Sequence, residues 1–326
     1  MLDRRSFLSA GVAATVAASV AQSAATKRPK AQIAITLDLE MSRHYPRRGI
    51  MEWDFQKGNL DPATKKYSVD AGRVAKQLAG KIHYFCVGRV LEQSNIKWLK
   101  GLAAEGHPIG NHTYDHVYVK AATPAATQFR FRRAPWLVKG KTASQIVEEN
   151  IRLTNTAMKA RAGITANGFR TPGGFYTGLH DAPHVQKMLQ NIGFKWVSSV
   201  YPRHSSGKPK QEPSESVYQN IVEAARRTQP FAYKSGLIEV PMSPISDVTA
   251  FRSHYWKLPY FLKAIGRVVT DTIERGGVFD FIAHPSCLVV EDPKFETIKL
   301  ICKLVNQSKG RAEIVGLDQI AKTISQ

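Results

Sequence analysis

IAITLDLE, residues 33–40, is an apolar run that ends in two acids. Ile33 to Leu37 reads as a buried strand. Side chains two residues apart on a strand point to the same side, so Asp38 and Glu40 face one site together. Two carboxylates this close need a metal, a cation or a shared proton to be tolerable. The chemistry of this short stretch depends on what the rest of the chain brings to it.

Strand and helix signals alternate from here to the end. After a polar loop at 41–67, the helix pattern VDAGRVAKQLAG (69–80) stops at Gly80, and IHYFCV (82–87) reads as a strand. VLEQSNIKWLKGLAAEG (90–106) reads as one longer helix that stops at Gly106. Thr142 and Gln145 form a capping box that opens a further helix. GFRTPGGF (168–175) reads as turn, and Asp181 caps a helix that ends near Gly193. FKWVSSV (194–200), LIEVPM (237–242), VFDFIAH (278–284) and AEIVGL (312–317) are strand patterns, with helices at about 257–275 and 294–308. Residues 203–215 are the most loop-like part. The alternation predicts an α/β fold with a mostly parallel sheet or barrel, as one domain over 31–326.

The chain has 326 residues and a formal charge of +20. Its basic clusters, KRPK (27–30), RFRR (130–133) and KPK (208–210), lack the spacing of a nucleic-acid motif. The charge reads as a solvated basic surface suited to an anionic envelope polymer, and no nucleic-acid partner is expected. No stretch after the N-terminus reaches the ~18 apolar residues of a membrane span. Cys86, Cys287 and Cys302 are an odd, sparse set that builds no disulfide framework, and they read as buried small hydrophobes. Residues 1–25 carry Arg4-Arg5, then Phe7-Leu8, an alanine-rich middle and small residues at the end. This is the pattern of a twin-arginine export signal. It predicts a bacterial protein that folds before export and works in the periplasm or outside the cell.

Three further segments carry chemistry. GNHTYDH (110–116) holds His112 and His116, four apart, which share a face if the segment is a helical turn. Two imidazoles and a carboxylate make a three-ligand zinc site with one open position. His284 ends the apolar strand VFDFIAH, a place where α/β barrels put functional side chains. Arg170, in GFRTPGG, is suited to pair with a carboxylate and fix its charge.

TLDLE, GNHTYDH, FRTPGG and FIAH follow the order of the motifs of the polysaccharide deacetylases, the NodB-like carbohydrate esterase family 4. The chain resembles that family over nearly all of 32–322, most closely at LKGLAAEGHPIGNHTYDH. The resemblance implies a distorted (β/α) barrel of the NodB type and a divalent metal, usually zinc. It implies hydrolysis of an acetamido group on a sugar, with release of acetate. His112 and His116 match the metal-binding histidines, and Asp38 matches the catalytic base. The family's second acid follows the first directly, where this chain has Leu39; Glu40 then becomes the third ligand. An exchange of the two acids' roles stays open. Arg170 matches the arginine that orients the base, and His284 the histidine that protonates the leaving amine.

Two departures stand out. Pro172 is followed by Gly173-Gly174 instead of an aromatic residue, which leaves Pro172 and Gly173 as the substrate-facing pair, with glycine offering only a backbone N–H. The family's acid that tunes the catalytic histidine is missing from WVSSVYPRHS (196–205), and Asp247, in PISDV, is the candidate to replace it. Tyr45, Trp53, Tyr114 and Trp136 sit in or near loops, as sugar-stacking rings or as loop anchors. Three functions follow: an exported deacetylase of an N-acetylated polysaccharide, a hydrolase of a small amide or cyclic ureide, and a glycan-binding relative without turnover.

Overall fold

The structure is a computed structural model and describes residues 29–47 and 57–324. The segment read as an export signal, and Trp53, lie outside the described residues. The opening run forms β1 (Ala31–Leu39), which is buried along most of its length. It is central in a nine-stranded sheet with β2 (His83–Cys86), β3 (Ile109–Asn111), β4 (Phe169–Phe175), β5 (Trp196–Val200), β6 (Phe231–Ala232), β7 (Ile238–Glu239), β8 (Val278–Ala283) and β9 (Ala312–Ile314). The order is β6-β7-β5-β4-β3-β2-β1-β8, with β9 also on β1. Every pairing is parallel except β6 with β7. Such a sheet needs cover on its outer face. The helices α1 (Pro62–Gln77), α2 (Lys97–Ala104), α3 (Ala143–Ala157), α4 (Pro183–Ile192), α5 (Glu215–Arg227), α6 (Leu258–Arg275), α7 (Pro285–Glu291), α8 (Glu296–Gln307) and α9 (Leu317–Ile324) supply it. The sheet curls into a distorted barrel. Past β7 the seam to β8 is bridged by the Ser243 N–H, which donates to the Asp280 carbonyl at 2.8 Å.

Register explains why the ends of the strands meet. Leu37 of β1 lies beside Ala283 of β8, and Leu39 beside Cys86 of β2. Cys86 lies beside Asn111, and Asn111 beside Phe169. Asp38 and His284 are the next residues after Leu37 and Ala283, and Glu40, His112 and Arg170 the next after Leu39, Asn111 and Phe169, so the five side chains gather at two neighbouring levels on the carboxyl side of β1.

Several sequence expectations need correction. Helix α1 starts at Pro62 because Asp61 caps it, accepting from the Thr64 N–H at 2.6 Å, so the preceding loop is shorter than expected. The long helix at 90–106 is broken: a 3₁₀ turn, Gly88–Glu92, is followed by an extended Gln93, and α2 starts anew at Lys97 where the Asn95 side chain accepts its N–H at 3.0 Å. Asp181 does not cap α4; it is exposed and paired with Lys120. GFRTPGGF is largely strand rather than turn, because pairing with β5 at Phe169 and Arg170 overrides its glycines and proline. The capping box at Thr142 and Gln145 forms as expected.

Candidate active site

The carboxyl ends of β1, β4 and β8 and the loop after β3 border a pocket of about 280 Å³. The HTYDH segment is not a helical turn. Thr113 and His116 have positive φ, 58° each, and the loop is held by side chains. Asn111 Oδ1 accepts from the Thr113 N–H at 2.8 Å, and Thr113 Oγ1 accepts from the Val117 N–H at 3.0 Å. Asp115 is clamped between Arg89 (2.5 Å) and Arg130 (2.8 Å). The same i, i+4 spacing still brings the two rings together, with centroids 5.0 Å apart.

Both acids of β1 do face one site. Asp38 Oδ2 lies 3.7 Å from His112 Nε2, and Glu40 Oε2 lies 3.5 Å from the same atom and 2.8 Å from His116 Nε2. Glu40 Oε2 is buried and makes no aligned hydrogen bond. A buried carboxylate oxygen left open costs free energy unless something else meets it. His112 Nδ1 lies 3.0 Å from the Arg170 carbonyl. Donation there fixes the tautomer and turns the Nε2 lone pair toward Glu40. Glu40, His112 and His116 each offer one atom within 4.8 Å of the others, and one carboxylate with two imidazoles is a donor set suited to a divalent cation. Burial pushes the His116 pKa down to about 4, so this ring is neutral at physiological pH. Burial alone would raise the Glu40 pKa; the neighbouring His116 and the Lys57 ammonium hold it well below the usual carboxylate range.

Asp38 has a different setting. Arg170, fully buried inside the barrel, donates to Asp38 Oδ1 at 3.1 Å and to Thr36 Oγ1 at 2.7 Å, and pairs with Asp280. Its other nitrogens reach Ser198 Oγ at 3.2 and 3.3 Å, and its guanidinium lies 4.3 Å from the centre of the Phe85 ring. A buried guanidinium with two carboxylates and two hydroxyls is well satisfied.

His284 comes from the other side. Ser286 Oγ donates to the Glu40 carbonyl at 3.0 Å and accepts from the Ser42 N–H at 2.9 Å, which staples the turn after β8 to the end of β1. His284 Nε2 lies 3.5 Å from Glu40 Oε1. Its Nδ1 is 3.0 Å from Asp247 Oδ1, and its backbone N–H donates to Asp247 Oδ2 at 2.9 Å. Burial alone would lower the His284 pKa, but the charge and hydrogen bond of Asp247 raise it above the ordinary value. WVSSVYPRHS supplies no acid to this ring, and Asp247 of PISDV lies against it.

The remaining expectations divide. Gly173 and Gly174 line the pocket, whereas Pro172 is buried within β4 and does not. The aromatic side of the pocket comes from Tyr201, whose Cβ would stand 2.4 Å from a Cβ at Gly174. Gly174 admits that ring. Tyr45 is buried and hydrogen-bonded to Glu291 (2.7 Å), a loop anchor. Tyr114 bonds Glu92 at 2.8 Å, and Trp136 is 70% exposed. Cys86, Cys287 and Cys302 are free and buried. No helix among the described residues is long and apolar enough to cross a membrane. Sequence reasoning missed Asp280 and Lys57. Asp280 carried a usable signal, a lone acid inside an otherwise apolar strand; Lys57 carried none.

Residues 61–194 match the family model described as polysaccharide deacetylase, a span that includes His112, His116 and Arg170. No curated protein matches the chain. Among solved structures, a putative polysaccharide deacetylase from Mycobacterium smegmatis aligns 92% of this chain with 91% of its own at 15% identity and a TM-score of 0.57. A probable polysaccharide deacetylase from Pseudomonas aeruginosa PAO1 aligns 89% with 89% at 12% identity and 0.57. The PuuE allantoinase aligns 91% with 93% at 13% identity and 0.57. These structures share the fold.

Proposed function

We propose that this chain, a hydrolase whose family match and fold support a place among the polysaccharide deacetylases, removes the acetyl group from an N-acetylated sugar of an envelope or extracellular polysaccharide with the help of a divalent cation. The observation that carries the reading is the convergence of Glu40 Oε2 with the two Nε2 atoms of His112 and His116, beside an acid and an imidazole that each have a buried partner. Those three residues would hold the cation. Zinc suits two imidazoles and a carboxylate, and when bound it supplies Lewis acidity, polarising the acyl carbonyl and easing deprotonation of water.

The chain's own residues do the rest. Asp38, paired with and oriented by Arg170, takes a proton from the attacking water. The water oxygen bonds to the acyl carbon, and the backbone at Gly173 borders the place where negative charge gathers on the carbonyl oxygen. His284 holds its Nδ1 proton on Asp247 and hands the Nε2 proton to nitrogen as the C–N bond breaks. Acetate and a free amine result. Asp38 is the base and Glu40 the ligand in this assignment, because the guanidinium sits on Asp38 and the imidazoles on Glu40.

The non-catalytic reading rests on the acid missing near His204, and the contact of Asp247 with His284 weighs against it. A small cyclic ureide is the second reading: the pocket is only about 280 Å³, and one solved structure of this fold is an allantoinase. The basic surface favours the polymer, and Arg4-Arg5 with the alanine-rich segment behind it supports export to where such polymers lie. Acetate release from peptidoglycan fragments and chitooligosaccharides, and ring opening of allantoin-like ureides, each measured before and after chelation, test the assignment. Release from an N-acetylated oligosaccharide, lost on chelation and restored by zinc, is expected. Turnover of the ureide alone, or acetate release that survives complete metal removal, contradicts it.

A further inference from the structure

Lys57 is 3% exposed, and its ammonium pairs with Glu40 Oε1, on a carboxylate that is itself 3% exposed. The two oxygens of Glu40 therefore have separate surroundings. Oε2 meets the imidazoles of His112 and His116, while Oε1 meets Lys57 and, at 3.5 Å, His284 Nε2. The lysine is set in place by the backbone as well. Its carbonyl accepts from the N–H of Met41, the residue after Glu40, at 2.8 Å. The next residue, Gly58, packs so closely on the 3₁₀ turn that a Cβ there would lie 2.3 Å from Arg89 Cβ and 2.7 Å from the Val90 nitrogen. The Gln93 side chain donates to the carbonyls of Gly58 (3.3 Å) and Leu60 (3.2 Å). This short segment, bonded on both sides, aims one ammonium at one carboxylate oxygen.

A carboxylate can bind a cation through one oxygen or both. Binding through both fills a further place in the coordination shell, the place that water or a carbonyl must use. A hydrogen-bonded ammonium engages a lone pair of Oε1, draws charge from that oxygen and fixes the rotation of the group. Partners of this kind orient ligands and tune what they hold.

We infer that Lys57 is a positioning residue: by holding Oε1 it limits Glu40 to ligation through Oε2 alone and keeps a coordination place open for substrate. The inference rests on the metal reading proposed above. It also explains how the site manages two acids separated by Leu39, since the second acid has its own counter-ion in addition to any bound cation.

The test uses cobalt as a spectroscopic stand-in for zinc in the full chain. Wild-type protein loaded with Co²⁺ is expected to show the strong visible absorption of low coordination number. K57M is expected to keep stoichiometric Co²⁺ but absorb more weakly, as Glu40 swings to use both oxygens. Its kcat is expected to fall about 10–100-fold with little change in KM. K57R, which restores a donor, recovers part of both signals. A K57M spectrum and kcat equal to wild type overturn the inference while leaving the metal site intact. X-ray absorption on cobalt-loaded wild type decides the point without any variant: one carboxylate oxygen on the metal is expected, and a two-oxygen carboxylate overturns it. Failure of the wild type to take up cobalt overturns the metal reading itself.

Discussion

Asp38 and Glu40 are two residues apart at the end of one strand, border one pocket and have partners in two different regions. Asp38 is tied through Oδ1 to the barrel interior, where Arg170 binds it together with Asp280, Thr36 and Ser198, while its Oδ2 is turned toward His112. Glu40 faces the pocket floor, where two imidazoles crowd one oxygen and Lys57 holds the other. The interior is a closed hydrogen-bond network, whereas the floor keeps an oxygen without an aligned donor. In the proposed assignment like carboxylates take unlike roles from these surroundings: one paired with a fixed guanidinium suits a base, and one with an oxygen turned to two imidazoles suits a ligand. Arg170 joins the two regions, because its side chain holds Asp38 and its carbonyl orients His112.

The comparison is broken most directly by exchanging the roles. E40Q is expected to lose bound metal and all turnover together, whereas D38N keeps stoichiometric metal and loses turnover by about 10²–10⁴-fold. Metal analysis of both proteins separates them, and metal retained by E40Q but lost from D38N reverses the assignment. R170M tests the interior. It leaves Asp38 and Asp280 buried without their counter-charge, so denaturant unfolding should show a loss of about 3–5 kcal/mol. A stability equal to wild type would mean that the network contributes little.

D247N sharpens the contrast on the histidine side. Asp247 raises the His284 pKa against burial, and the proposed mechanism needs His284 protonated to act as the acid. Activity is therefore present below that pKa and falls as pH rises through it. Removing the Asp247 charge lowers the pKa, so the alkaline limb of kcat should move to lower pH, with a loss of about 10–100-fold at neutral pH. An unmoved limb would remove Asp247 from its role. The smallest effect is expected for Y45F. Its hydroxyl bonds Glu291 and does not line the pocket, so loss of about 1 kcal/mol in stability with unchanged acetate release is predicted. A large change in KM would restore Tyr45 as a sugar contact.

Much of this was legible in the sequence because strand ends declare themselves. Asp38, Glu40 and His284 each terminate an apolar run, and His112, His116 and Arg170 sit in short motifs rich in glycine and polar residues. Side chains that act from within elements were harder to see. Asp280 interrupts β8 between Phe279 and Phe281, and only the position of Arg170 across the barrel shows why an acid belongs there. Thr36 and Ser198 are small hydroxyls in strands, a composition that β-propensity alone explains. Lys57 is one lysine in a polar loop of a chain with 46 basic residues, and only its burial against Glu40 sets it apart. The helical turn that would put His112 and His116 on one face does not form, yet spacing of four fits a looped turn as well when Asn111 and Thr113 supply local hydrogen bonds.

The central claim is that a cation binds at Glu40, His112 and His116 with Asp38 beside it but outside its ligand set. Anomalous diffraction from crystals of the zinc-loaded protein tests this directly. One peak in contact with Glu40 Oε2 and both Nε2 atoms is predicted. A peak held by Asp38 in place of Glu40, or none near the imidazole pair at full zinc occupancy in solution, would contradict it.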